Sequence, residues 1–221
     1  MAKPGVSSRL ARGESRSSAT KQTLVEAAIE TLKIEGFGGA SARAIAERAG
    51  CNQALVFYHF GSVADLLLAA LDAVSAARLE RYGLAVADVT SPVEILDIAA
   101  DIFSEDLDAG HAAVLVEMIA GASSTPGLGA EVAQRVEPWK EFARRAIDRA
   151  LDDSPLRSVV PAEELAHGVV ALYLGLELLT HLDGDRASAL KLFDRARTLV
   201  GALASLGATA PAAPARNQQQ V

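Results

Sequence analysis

The sequence predicts an all-α protein, with an N-terminal helix-turn-helix domain of three helices followed by a larger helical domain. Three observations carry that expectation. Apolar residues recur at helical spacing through nearly the whole chain. Hydrophobic residues make up 50% of it but aromatic ones only 5%, so the core is built from Ala, Leu, Val and Ile. Glycine and proline gather at a few breaks, where they punctuate helices, and no convincing strand separates them. With 221 residues there is material for one large or two small domains.

Residues 1–18 are rich in Ser, Arg and Gly and show no apolar period, which reads as a flexible basic arm carrying Lys3, Arg9, Arg12 and Arg16. The first helix is expected from Ala19 to Glu35, with Val25, Ala28, Ile29 and Leu32 as its apolar stripe. Gly36 ends it in the left-handed region, and Phe37 folds back over the last turn. Ser41 caps a short second helix, which Gly50 stops. Asn52 caps a third through Phe60, and Ser62, with Asp65 three residues on, caps a fourth that reaches Tyr82. Ser91-Pro92-Val93-Glu94 opens a helix to Asp108, and another covers His111 to Ala122. A helix from Gly129 to Asp152 contains Pro138, where a kink is expected. Pro161 opens a helix to Leu182, Gly184 breaks it, and Asp185 caps the last, which ends near Leu206. Residues 208–221 read as a disordered Ala, Pro and Gln tail. The resulting domains are 19–66 and 67–207.

The formal net charge of −7 is unevenly spread. Residues 1–60 hold eight Lys and Arg against five Asp and Glu, a net of +3, while the remainder holds thirteen against twenty-three, a net of −10. A polyanionic partner would therefore meet the N-terminal end. The single cysteine, Cys51, excludes an intrachain disulfide and fits a reducing compartment. The polar N-terminus and the absence of an uninterrupted apolar run of about 18 residues argue against a signal peptide and a membrane span. A cytoplasmic protein without a membrane partner is expected.

The informative segment is Ser41 to Phe60. Two short helices are joined by a turn at Gly50. Ile45, Ala49, Val56 and Phe60 lie on the inner faces, and the small Ala46 permits a close crossing. The outer face of the second of these helices then presents Gln53, Ala54, Leu55, Phe57 and His59. Such a helix can enter the major groove of double-stranded DNA with its N-terminal residues against base edges. Glutamine can pair with adenine, and a small apolar side chain can touch the thymine methyl. A plain helical hairpin within a core would share the periodicity; the charge asymmetry favours the DNA reading.

The stretches Leu24-Val-Glu-Ala-Ala28, Glu35-Gly-Phe37, Ile45-Ala-Glu-Arg-Ala-Gly50, Tyr58-His-Phe-Gly-Ser62 and Asp65-Leu-Leu67 together resemble the tetracycline-repressor-like (TetR) family of bacterial regulators. They cover about a fifth of the chain closely. The resemblance implies a homodimer, an N-terminal DNA-binding domain that reads a palindromic operator, and a C-terminal helical domain for ligand binding and dimerisation. It implies repression relieved by a small-molecule effector. It places Arg43, Gln53, Ala54, Leu55, Phe57, His59 and Ser62 at the DNA. Two departures stand out: the family commonly has Tyr at Phe57 and Lys at Val63, both phosphate contacts. Backbone N–H groups at the start of the fourth helix, together with Arg9, Arg12 and Arg16, can offset them.

The helix from Pro161 to Leu182 is apolar nearly all round and so needs two partners. Either it is enclosed in one subunit or its second partner is another copy. In the latter case Leu172, Leu176 and Leu179, with Phe193, Val200 and Leu203 of the last helix, form a dimer interface, and Gly168 and Gly175 permit close approach. Candidate effector contacts are Phe103, Met118, Trp139, Phe142, Tyr173 and Glu177, with His111, Glu117 and His181 as further polar groups; each is individually expected as core or solvated surface. No Gly-rich phosphate loop, nucleophile elbow or metal-spaced His/Cys cluster is present, so neither an enzyme nor a metal or other cofactor is expected. A helical ligand carrier without DNA binding remains a rival, motivated by Phe57 and Val63.

Overall fold

Helix α1 spans Ser7–Gly39, α2 Ala42–Arg48 and α3 Ala54–Phe60 in the computed structural model, which describes residues 7–152, 157 and 161–208. Then follow α4 (Val63–Ala85), α5 (Pro92–Asp108), α6 (His111–Ala122), α7 (Leu128–Ala150), α8 (Ala162–Asp183) and α9 (Arg186–Ala208). Among the described residues there is no strand. The expected all-α fold is the one observed.

Local chemistry sets most of the boundaries. Ser41 Oγ accepts from Ala44 N at 3.2 Å, Ser62 Oγ from Asp65 N at 3.0 Å, and Ser91 Oγ from Glu94 N at 3.4 Å. Each satisfies an amide that the first helical turn leaves unpaired. Asn52 Oδ1 accepts from Ala54 N at 2.8 Å, and Asp185 Oδ1 from Ser188 N at 3.0 Å. Gly184 closes α8 at φ 73°.

Two local expectations are corrected. Residues 7–18 are not an irregular arm: their backbone continues α1. No proline interrupts the stretch, Leu10, Ala11, Arg12, Glu14 and Arg16 favour helix, and adding residues to an existing helix gains a hydrogen bond each without a new nucleation cost. Helix α7 also runs through Pro138 as a single helix. Gln134, whose carbonyl loses its partner there, is exposed and can be hydrated. Residues 1–6 and 209–221, which hold Lys3 and most of the expected C-terminal tail, lie outside the described residues.

An N-terminal core joins Leu24, Ala28 and Leu32 of α1 with Ile45, Val56 and the start of α4. Val114 and Met118 of α6 close it from the C-terminal side. Arg48 pins α2 to α1, donating to Thr31 Oγ1 at 3.0 Å and to Glu35 at 2.6 Å. A second, smaller core gathers Phe103, Leu176 and Ala189, with Tyr173 and Phe193 packed against them. Helix α8 lies along α7, and α9 along α5. By length and composition α8 could cross a membrane. Here it carries Glu177 in a buried ion-pair network and packs one side on α7.

Candidate functional sites: an exposed recognition helix and a walled cavity

The hydrogen bond from Cys51 N to Ala46 O (2.9 Å), with Gly50 at φ 64°, turns the chain sharply between α2 and α3. Ile45 and Val56 are fully buried across that turn and fix the crossing, as their spacing predicts. The opposite face of α3 is open. Arg43, Gln53, Ala54 and Phe57 are exposed, whereas Leu55, His59 and Ser62 are half-buried. Leu55 packs on the domain core, and Ser62 is engaged in a reciprocal cap with Asp65. Tyr58 is 79% exposed, more so than Phe57 at 51%, yet sequence reasoning did not place it at the DNA. Its ring rests edge-on against His59, with centroids 4.8 Å apart. A hydroxyl is therefore available one position beyond the expected Tyr that Phe57 replaces. The half-buried Cys51 packs against the same core.

In the C-terminal domain, α4, α5, α7 and α8 wall a cavity that α6 closes. Its space, counted together with the opening to solvent, is about 1080 Å³. The wall is mostly apolar, with Val74, Ile98, Ile102 and Leu115 among its side chains. Of the expected contacts, Trp139, Phe142, Tyr173 and Glu177 line it, as does His111. Phe103 and Met118 do not: Phe103 is enclosed by Tyr173 and Phe193, with ring centroids at 5.6 and 5.4 Å, and Met118 belongs to the N-terminal core. Glu117 faces away from the cavity and accepts from Phe37 N at 2.7 Å.

What sequence reasoning missed is the polar centre of this wall. Arg78 of α4 bonds Asp106 of α5 and, at 3.3 Å, Glu177 of α8. Asp106 also accepts from Tyr82 Oη at 2.6 Å and Tyr173 Oη at 2.8 Å, and His111 Nδ1 lies 3.3 Å away. The Arg78 guanidinium stacks over Trp139, 4.7 Å from the ring centroid. Burial alone would raise Asp106, but the His111 hydrogen bond, the Arg78 charge and the Tyr82 hydroxyl outweigh it and hold the carboxyl below its ordinary range. Glu177 goes the other way: burial pushes it up to about 7 despite Arg78. Burial, then the Glu177 and Asp106 charges, push the Tyr173 hydroxyl well above its ordinary value.

A signal for this centre existed in the sequence. Leu71, Val74, Arg78 and Tyr82 fall at helical spacing on one stripe of α4, so Arg78 occupies an inward position on an otherwise apolar face.

The expected interface residues divide into two groups. Leu172 (60%), Leu179 (57%) and Leu203 (56%) are exposed, and so are Leu182 and Leu199. Val200 is half-buried. Leu176 is 8% exposed and packs within the chain, and Phe193 stacks on Phe103, so these two serve the chain's own core. Phe193 faces inward because α9 lies on α5, and Leu176 of α8 packs with Phe103 and Ala189, neither of which sequence spacing alone revealed.

The two domains meet at a tight joint. Gly36 interrupts α1 with φ 71° and ψ −178°, and a side chain there would meet Glu117. Gly121 of α6 lies directly under the Phe37 ring, where an added Cβ would collide with it.

Residues 24–70 match the sequence model of "Bacterial regulatory proteins, tetR family". An HTH-type transcriptional regulator of Mycobacterium tuberculosis H37Rv is 32% identical over 110 residues. That match covers 49% of this chain and 56% of the relative, so the chain spans about half the length of the curated relatives it matches. Two solved structures share the fold. A transcriptional regulator from Saccharomonospora viridis in complex with choline has TM-score 0.66 and 20% identity, covering 85% of this chain and 96% of that one. The regulator FadR from Bacillus subtilis in complex with stearoyl-CoA has TM-score 0.69 and 14% identity, covering 81% and 96%.

Proposed function

We propose that this chain, whose residues 24–70 match the tetR family of bacterial regulatory proteins, is a dimeric transcriptional repressor that a small molecule releases from a palindromic operator. The observation that carries the reading is the pairing of an open recognition helix with a walled cavity in a separate domain, joined through α4 and α6. DNA binding alone has no use for the cavity. The two ligand-bound neighbours support small-molecule binding on this fold, and the chemical distance between choline and stearoyl-CoA keeps their ligands from transferring to this chain.

Gln53 and Ala54 read bases, while Arg43, Tyr58 and the amides at the start of α4 hold phosphates. The exposed leucines of α8 and α9 pack against a second copy, since a monomer rarely leaves so continuous an apolar stripe in water. Two recognition helices related by that symmetry reach half-sites one or more helical turns apart. Ligand in the cavity shifts α6 against α1 at the Phe37–Glu117 joint and changes the spacing of the pair. The coupling rests on differential affinity for the two arrangements, roughly 1–3 kcal/mol for a useful switch.

Selection from a random duplex pool tests this reading. A palindrome should be enriched, and on it Gln53→Ala should lose about 1–3 kcal/mol while its affinity for random duplex stays unchanged. If no sequence is enriched, the DNA-reading role falls and a helical ligand carrier replaces it. Leu172→Asp should give monomers in sedimentation, and an intact dimer would move the interface elsewhere.

A further inference from the structure

Inside the cavity wall, two carboxylates face one guanidinium. Asp106 is saturated, with Arg78, Tyr82, Tyr173 and His111 around its two oxygens. Glu177 is 1% exposed, and among the described residues its carboxylate has one hydrogen-bond partner, Arg78 at 3.3 Å. The other arginine in the wall, Arg135, already bonds Asp72 and Glu131, both exposed acids, and adds no uncompensated positive charge. With both carboxylates ionised, two negative charges share the one arginine of the polar centre. Aromatic side chains line the same cavity: Trp139 under Arg78, Phe142 edge-on to Trp139 at 6.2 Å, and Tyr173.

We propose that the cavity takes a ligand with an apolar body and a cationic amine or quaternary ammonium head, which Glu177 and the rings of Trp139, Phe142 and Tyr173 receive. Desolvated cations gain from both a carboxylate and aromatic faces. A carboxylate ligand aimed at Arg78 would instead bring a third anion to a guanidinium that already serves two. The apolar lining takes the body by burial. The inference rests on the ligand-binding part of the function proposed above and names its chemical class.

Calorimetry with octyltrimethylammonium, octanol and octanoate on the DNA-free protein tests it. The cation should bind at least tenfold tighter than octanoate and tighter than octanol, and Glu177→Gln should erase the preference over octanol. A second readout uses the unmodified chain. At pH 6 Glu177, raised to about 7, is mostly protonated, so cation binding should release close to one proton, seen as a dependence of the heat on buffer ionisation enthalpy. The release should fade by pH 8.5. The charged and titratable groups facing Glu177 are Arg78 and Tyr82 on α4, Asp106 on α5, His111 on α6, Arg135 on α7 and Tyr173 on its own helix. Octanoate binding as tightly as the cation, no binding by any of the three, or an unchanged preference in Glu177→Gln would overturn the proposal. Operator release is scored separately. Cation binding that leaves operator affinity unchanged sinks the regulatory reading and keeps this one; octanoate that binds and releases operator does the reverse.

Discussion

Around Leu24, Leu32, Ile45 and Val56 of the N-terminal core, Thr31 is among the described residues the one fully buried polar side chain, and it returns its hydroxyl to Ala27 O at 2.7 Å. Around the cavity, Arg78, Asp106 and Glu177 are all withdrawn from water. The first core holds α3 at a fixed angle, and interchangeable apolar groups suffice for that. The second walls a space which, on the proposed function, distinguishes one molecule from another, and discrimination requires polar groups at fixed points in an apolar wall. Such groups are stable only while every partner stays in place.

The contrast is broken most directly at Asp106. Asp106→Ala removes the acceptor shared by Arg78, Tyr82 and Tyr173 and should cost about 3–5 kcal/mol in urea denaturation. Leu32→Ala, a cavity-forming change in the apolar core, should cost about 2–5 kcal/mol. The discriminating readout is ligand binding, which the first change should abolish and the second should spare.

Glu177 sharpens the comparison through pH. Its folded pKa of about 7 lies above its ordinary 4.5, so the native state binds more protons between those values and stability falls as pH rises through that window. The loss should be about 2–3 kcal/mol for so buried a group. Melting curves for Glu177→Gln should lack this slope; a slope that persists would assign it to other groups.

At the joint between the two regions, Gly121→Ala forces the Phe37 ring or α6 to move and should destabilise by about 1–3 kcal/mol. Gly83→Ala in α4, where nothing lies within 4 Å of the new methyl, should stabilise by roughly 0.5–1 kcal/mol. The same substitution with opposite signs in thermal melts would locate the tight contact. The smallest effect belongs to the recognition helix: Tyr58→Phe should weaken operator binding by about 1 kcal/mol, and Phe57→Tyr should strengthen it by a similar amount. Equal affinities across the three proteins would remove both hydroxyl positions from the phosphate backbone.

The N-terminal region was largely legible in the sequence because its determinants are local. Ser41, Asn52 and Ser62 cap the helices that follow them, and the spacing of Ile45 and Val56 gives the inner faces. The cavity was legible only in part. Trp139, Phe142, Tyr173 and Glu177 were found by residue type; the α4 stripe marks Arg78 as inward, but its partner Asp106 lies 28 residues away on another helix and leaves no short-range trace. Phe103 and Met118 were misplaced for the same reason: an apolar side chain in a helix looks alike in sequence whether it faces a void or a neighbour. Phe193 faces inward because α9 lies on α5, and Leu176 of α8 because it packs with Phe103 and Ala189, tertiary choices that override what their spacing suggested.

Trp139, the chain's single tryptophan, sits in the cavity wall under the Arg78 guanidinium, with its indole nitrogen 3.5 Å from Ser75 Oγ. All indole fluorescence of the protein therefore originates in one domain, beside a charged group whose position sets its colour and yield. The N-terminal domain contributes no indole signal. An unlabelled sample thus has an optical channel that reports on the cavity alone, and a fluorophore placed on the DNA supplies a second. Recorded together after rapid mixing, the two traces give the order of events, showing whether the cavity fills before the duplex departs or the duplex departs first.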